Sequence, residues 1–415
     1  MSVDDAANTW NLPAWRSLLP IGRSDRSGGY RRFSFTRADS ECRDWFHREA
    51  AHRDLLVETD RNGNLLAWWE PESLPKNNGV IITGSHLDSV PDGGPFDGPL
   101  GVVSAFAAID LLNKAGVTPV RPVGVVAFIE EEGARFGMAC LGSRLLTGAV
   151  TAEAARELTD ADGVSLAEAM AAAGLDPEAI GPDQELVGRI EAFVELHIEQ
   201  GSALAGMNAA VGVAESIWPH GRWRIDFTGR ADHAGTTKLA DRSDPMLPFA
   251  ATVLAARTVA TELNSLATFG RVAAEPGAAN AISSAVRAWL DARAPDESTL
   301  TELVSQLTAV AALSGSSHGV AATSQCESLT PAVEFDLDLR DRVLAALAGQ
   351  AVEAPVLATG AGHDAGVLAA AVPAAMLFVR NRTGVSHSPA EHAEPEDCEA
   401  GVIALAAVIE ELACR

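Results

Sequence analysis

Four short apolar runs in this chain stop at histidines or carboxylates, and that pattern limits the folds open to it. Val80–Thr83 leads into His86 and Asp88, with Asp97 close behind. The run 123–129 meets Glu130, Glu131 and Glu132. Ala192–Ile198 contains Glu195 and His197 and is followed by Gln200, and Ala375–Val379 precedes His387. A helical pattern over 102–112 separates the first two runs, and another closes the chain from about Pro395 to Leu412. Buried strands alternating with helices predict a mostly parallel α/β sheet. In open sheets of that kind, ligands gather at the carboxyl ends of the strands.

The middle of the chain follows a different rule. Segments 222–228 and 285–292 alternate polar and apolar residues, and helical patterns lie near 245–263 and 297–313. Half-buried strands with helices between them fit an antiparallel sheet covered on one face. At 415 residues the chain exceeds one usual hydrophobic core. The expected fold class is therefore α/β. A metal-binding catalytic domain (1–210 with 331–415) carries an inserted smaller α/β lid and dimerisation domain (211–330), built from an antiparallel sheet plus two helices.

Charge narrows the partners. With 31 Lys+Arg against 56 Asp+Glu, the net charge is -25, a field that repels phosphate backbones and anionic membranes. Nucleic acid and membrane are not expected as partners. An acidic small molecule would need arginine, histidine or metal charge placed locally. The sequence has no basic leader followed by an apolar core, no apolar run of spanning length, and five scattered cysteines without a C-x-x-C pair. These features predict a cytoplasmic protein with reduced thiols.

So many carboxylates at one sheet edge would repel one another unless cations neutralise them. Three histidines (His86, His197, His387) with Asp97 and a glutamate of the 130–132 run offer N and O donors suited to Zn²⁺ or Mn²⁺. One carboxylate can bridge two ions roughly 3.5–4 Å apart. His47 and His52 sit on a polar helical pattern and read as solvated, and His220, His318 and His392 lie in loops without acidic partners at useful spacing and read as structural.

At these residues the chain resembles the N-carbamoyl-L-amino acid hydrolase, β-ureidopropionase and allantoate amidohydrolase family, within the dinuclear-metal aminoacylase and carboxypeptidase clan. The segments GSHLDSVPDGGPFDGPLGV, EEEGARFG, ELHIEQG, ADHAGTT, GAGHDA and SHSPAE occur in family order. The resemblance implies two divalent ions, Zn²⁺ or Mn²⁺, per subunit. It makes His86 and His197 terminal ligands of different ions, Asp97 the bridge, and Glu132 a ligand beside His387. Glu131 becomes the general base, and Asp88 supports His86 from its far nitrogen. His233 would donate to the oxyanion, Asn280 and Arg293 would hold a substrate carboxylate, and Gln200 would help fix the carbamoyl or amide group. A lid histidine reaching the neighbouring subunit implies a homodimer. The implied reaction is hydrolysis of the carbamoyl C–N bond of N-carbamoyl-L-amino acids or ureido acids such as allantoate. An N-acyl or N-formyl amino acid amidohydrolase using the same site is the alternative.

The chain departs from that family in the lid, where Lys238-Leu239 follows HAGTT and Ile282-Ser-Ser-Ala follows Asn280. These changes bear on substrate identity more than on metal chemistry. Competing patterns fare worse. Gly315–Gly319 matches G-x-S-x-G, but a helix precedes it where the nucleophile elbow needs a strand. Gly360–Gly366 has the wrong glycine spacing for a dinucleotide loop. A binding protein on this scaffold would be expected to lose the base, yet Glu131 is present.

Overall fold

Helix α1 (Arg37–Ala51) is followed by an antiparallel hairpin, β1 (Leu56–Thr59) and β2 (Leu65–Trp69). The computed structural model describes residues 10–71 and 79–415. Next come β3 (Val80–His86), α2 (Pro99–Lys114), β4 (Val123–Phe128), α3 (Leu141–Thr147), β5 (Ile190–Ile198) and β6 (Val211–Ile217). β3 and β4 are buried at every position, so they need cover on both faces. Part of that cover is α2, whose Leu100, Val102, Val103, Phe106 and Ile109 are all buried. Pro99 starts this helix where a missing N–H costs nothing.

From β6 the chain enters a second unit, which spans Ser216–Val333. Its elements are β7 (His220–Thr228), β8 (Asp232–His233), α4 (Met246–Glu262), β9 (Leu266–Glu275), β10 (Ala281–Ile282), β11 (Ala285–Arg293), α5 (Glu297–Ser317) and β12 (Ala321–Thr330). The larger unit holds the described residues up to Glu215 and those from Glu334. It is completed by α6 (Leu337–Gly349), β14 (Val356–Thr359), α7 (Asp364–Leu368), β15 (Ala374–Val379) and α8 (Pro395–Ala413), after the short β13 (Val333–Glu334).

The main sheet runs β1-β2-β4-β3-β5-β15-β6-β13, with β14 beside β6. Its four central strands, β4, β3, β5 and β15, are parallel, while β2 and β6 join them antiparallel. The sequence boundary at 211 falls at the first residue of β6, a strand of this main sheet. Close packing fixes one glycine here. Gly84 in β3 has φ +139°, and a Cβ there would sit 2.0 Å from the Val126 carbonyl of β4.

The second unit has a four-stranded antiparallel sheet, β12-β7-β11-β9, and a two-stranded one, β8 with β10. β11 alternates as a one-sided strand does. Leu290 and Ala292 pack with Ala256 of α4 and with Leu300, Leu303 and Leu307 of α5. The Asp296 side chain caps α5 by accepting the Thr299 N–H. Ser317 lies in the last turn of α5, where its hydroxyl donates to the Ser314 carbonyl, so the G-x-S-x-G segment forms no nucleophile elbow. Among the described residues, no helix is long and apolar enough to cross a membrane.

Candidate metal centre

The parallel strands carry the candidate ligands out at one end of the main sheet. His86 is the last residue of β3, His197 lies near the end of β5, and the Glu130–Glu132 turn follows β4. Asp97 precedes α2, and His387 sits in the loop after β15 with φ +53°. Gly98 is needed beside Asp97. It has φ +83°, and a Cβ there would lie 2.4–2.6 Å from the His86 ring.

Asp97 is the centre of this group. Its Oδ1 lies 3.6 Å from His86 Nε2 and 3.2 Å from His197 Nε2. Its Oδ2 lies 3.4 Å from His387 Nε2, which is also 3.5 Å from Glu132 Oε2. Two triads therefore share one carboxylate: His86, Asp97 and His197 on one side, and Asp97, Glu132 and His387 on the other. This corrects one expectation. His86 and His197 face the same oxygen of Asp97 and would serve one ion, where the family resemblance had placed them on different ions. The parallel neighbours β3 and β5 bring both rings to the same side.

The donor chemistry fits cations. The Nδ1 atoms of His86 and His197 face the carbonyls of Asp88 (3.2 Å) and Ile198 (2.9 Å). A carbonyl only accepts, so each Nδ1 carries the hydrogen, and in the neutral ring Nε2 presents its lone pair. Both Nε2 atoms are buried without a hydrogen-bond partner and point toward Asp97. Lone pairs facing a carboxylate repel, and a cation between them makes the arrangement attractive. Without an ion, burial opposes charge on His86, yet the Glu131 and Asp88 carboxylates raise its pKa well above the usual value. Burial likewise works against the Asp97 carboxylate, but the His197 and His86 rings hold its pKa well below the usual range. Burial and the nearby Asp97 push Glu132 up to about 8.

Glu131 is buried, with Oε2 3.6 Å from His86 Nε2 and Oε1 accepting from the Cys140 thiol at 3.3 Å. Burial raises its pKa well above the usual carboxylate range. Asp88 reaches His86 in two ways, through its backbone carbonyl and through a carboxylate oxygen 3.5 Å from Nδ1. Its carboxylate also accepts the N–H groups of Glu131 and Glu132, which ties both residues to the end of β3. Gln200 turns inward. Its amide contacts Asp97 Oδ2 (2.7 Å), Ser386 Oγ (3.2 Å) and His387 Nε2 (3.3 Å), so its donors occupy the side of Asp97 that faces the second triad.

Sequence reasoning gave no role to His363, which the structure puts beside these ligands. Its ring centroid is 4.5 Å from that of His197, and its Nε2 is buried without a partner. Burial and the neighbouring His197 push its pKa well below the usual value. His363 follows β14, so the strand-end pattern was available, but VLAT is too short and weakly patterned to read as a strand. Glu195, His197 and His363 also lie close enough to hold an ion. The Glu195 oxygens, however, already accept from Ser85 Oγ and the Ala365 N–H. We read that group as structural.

His233, Asn280 and Arg293 lie in the second unit. His233 pairs with Ala281, and the Ala234 N–H donates to the Asn280 carbonyl, so HAGTT and Asn280 are neighbours. Arg293 stands at the far end of β11, opposite His220, and its guanidinium binds both oxygens of Asp291 at 2.8 and 3.3 Å. Ala285–Arg293 spans about 26 Å at strand rise. The structure thus does not bring Asn280 and Arg293 together, and one carboxylate cannot reach both within a single chain.

Known proteins resemble this chain over nearly its whole length. Residues 82–411 match Peptidase family M20/M25/M40. An N-carbamoyl-L-amino acid amidohydrolase of Geobacillus stearothermophilus is 35% identical over 409 residues, covering 96% of this chain and 98% of that protein. An allantoate amidohydrolase of Escherichia coli is 31% identical over 407 residues, 94% of each chain. The crystal structure of a hydantoinase/carbamoylase family amidase from Burkholderia multivorans has a TM-score of 0.85 at 31% identity, covering 97% of each chain. The chain belongs to Peptidase family M20/M25/M40, among the N-carbamoyl-L-amino acid and allantoate amidohydrolases.

Proposed function

We propose that this protein is a metal-dependent amidohydrolase that cleaves the carbamoyl C–N bond of N-carbamoyl-L-amino acids or allantoate-like ureido acids. The observation that carries the reading is the shared Asp97 carboxylate, with two imidazoles on one oxygen and His387, itself beside Glu132, on the other. His86, Asp97 and His197 would hold one divalent ion, and Asp97, Glu132 and His387 a second, with Zn²⁺ and Mn²⁺ both suited to this N/O set. When bound, such a pair polarises the substrate carbonyl and lowers the pKa of a water toward neutrality.

The chain's own residues supply proton transfer and orientation. Glu131 takes the proton of the attacking water and returns it to the leaving nitrogen as the C–N bond breaks. Gln200, which now faces Asp97 and His387, turns its amide to the carbamoyl group. In HAGTT, the Gly235 N–H donates to His233 Nδ1 at 3.0 Å. In the neutral ring the hydrogen is then on Nε2, as donation to a developing oxyanion requires. Asn280 and Arg293 orient the substrate, Arg293 binding its carboxylate through a planar guanidinium that lysine does not reproduce. Asn280 and His233 lie at the opposite end of β11 from Arg293. That separation supports a homodimer in which one copy supplies His233 and Asn280 and the other Arg293.

A substrate panel tests the reading, with ammonia and free amine measured separately. Carbamoyl and ureido substrates should release ammonia, with activity lost to chelator and restored by Zn²⁺ or Mn²⁺. Amine without ammonia would instead favour an N-acyl or N-formyl amino acid amidohydrolase on the same centre. Full turnover in chelator would overturn metal dependence.

A further inference from the structure

Ser386 Oγ holds the Asp97 carboxylate at 3.1 Å, and a buried side chain, Glu391, fastens the backbone of the Asp97 segment to the segment that carries His387. Glu391 Oε1 accepts the backbone N–H of Phe96 at 2.8 Å and that of Asp97 itself at 3.0 Å. Glu391 is 1% exposed, and its own N–H donates to the Ser388 carbonyl, which closes the turn after His387. The approach is close along its length. A Cβ on Gly94 would lie 2.4 Å from the Glu391 Cβ and 2.5 Å from Oε1, so only glycine lets the 93–97 segment lie against this side chain. The contact continues on either side. Phe96 stacks on Trp15 with centroids 4.9 Å apart and meets the His392 ring edge-on at 6.1 Å.

We propose that Glu391 is a positioning residue for the metal pair: its carboxylate holds the Asp97 backbone and the His387 turn in one frame, so that both reach the same ion. The proposal rests on the two-ion reading above. Glu391 is not among the residues that would touch an ion or substrate, and its action runs through Asp97. The two backbone N–H groups that it accepts are covered by its own buried side chain, so its loss would leave them without a partner. The Asp97 segment would then lose its backbone anchor to the His387 turn, with its carboxylate still held by Ser386 Oγ at 3.1 Å and by Gln200. An ion held by residues from separate loops is sensitive to that loss, and supporting partners of ligands typically change metal affinity 10–100-fold.

The test uses full-length protein, with Zn²⁺ or Mn²⁺ affinity read by competition against a chromogenic chelator. For Glu391→Ala, affinity for the ion shared by Asp97 and His387 should fall about 10–100-fold. Glu391→Gln keeps a carbonyl oxygen that can accept both N–H groups, and should stay close to wild type. Wild-type affinity in Glu391→Ala, or equal losses in the Ala and Gln variants, would overturn the proposal. Should the Ala variant fail to fold, Glu391→Asp decides, because its shorter arm withdraws the oxygen. Weakened ion binding then supports the role, and unchanged binding overturns it. A failure of the two-ion reading would show in the wild-type protein, whereas a failure of this proposal would show only in the variants.

Discussion

Glu131 and Glu132 are adjacent in sequence yet face different partners. Glu131 Oε2 points to His86, and Glu132 Oε2 points to His387. Their roles should therefore separate under mutation. Glu131→Gln is expected to bind both ions and lose about 10²–10⁴ in rate, the usual contribution of a positioned base. Near-normal turnover with bound metal would remove it from that role. Gly98→Ala should act through geometry. It places a methyl against the His86 ring and asks an L-residue to adopt φ +83°. We expect weakened metal binding together with lower thermal stability, and unchanged values of both would show that the loop relaxes freely. At this scale the sequence showed which residues gather, because each ends or follows an apolar run. It did not show which ion each would serve. That depends on which oxygen of Asp97 each ring approaches, and strand order decides it. His363 went unread for a similar reason, since β14 is short and only partly buried.

At the scale of elements, the parallel core β4-β3-β5-β15 is a platform for buried acids, and the fold bears their cost. Burial with Asp97 nearby lifts Glu132 to about 8, and burial with Asp88 nearby lifts Glu130 to about 7. A carboxyl whose folded pKa exceeds its unfolded value stabilises the fold at low pH, and that contribution is lost as pH rises through the folded pKa. Metal-free protein should therefore lose thermal stability between about pH 5 and pH 8. The metal-loaded protein should change less, because an ion replaces the proton on Glu132. Melting curves in chelator and in metal across this window are the check, and a chelated protein that gains stability toward pH 8 would contradict the account. The central strands were legible from their uninterrupted apolar runs, and β7 and β11 from their alternation. β9 and β12 were not, since these edge strands are largely exposed and only the first half of β9 alternates.

At the scale of the molecule, the length of β11 sets the organisation we propose. Residues at its two ends, about 26 Å apart, cannot meet one small substrate within a single chain. If two copies complete each site, two differently inactivated variants should rescue one another. Mixing His233→Ala with Glu131→Gln under conditions that exchange subunits should restore activity. In the mixed dimer, one site receives an intact base from one copy and an intact His233 from the other. No recovery from demonstrably mixed dimers would show that His233 serves its own chain. The two-domain plan was visible in the change from buried runs to alternating ones. The distance between Asn280 and Arg293 was not, because thirteen residues of sequence separation say nothing about which way the chain runs between them.

The central claim is a pair of cations gathered on Asp97, and counting ions tests it most directly. Purified protein loaded with Zn²⁺ or Mn²⁺ and freed of excess should hold two ions per chain. His387→Ala should hold about one, because the His86, Asp97 and His197 triad remains. About one ion per chain or fewer in the wild-type protein under metal-replete conditions would contradict the account.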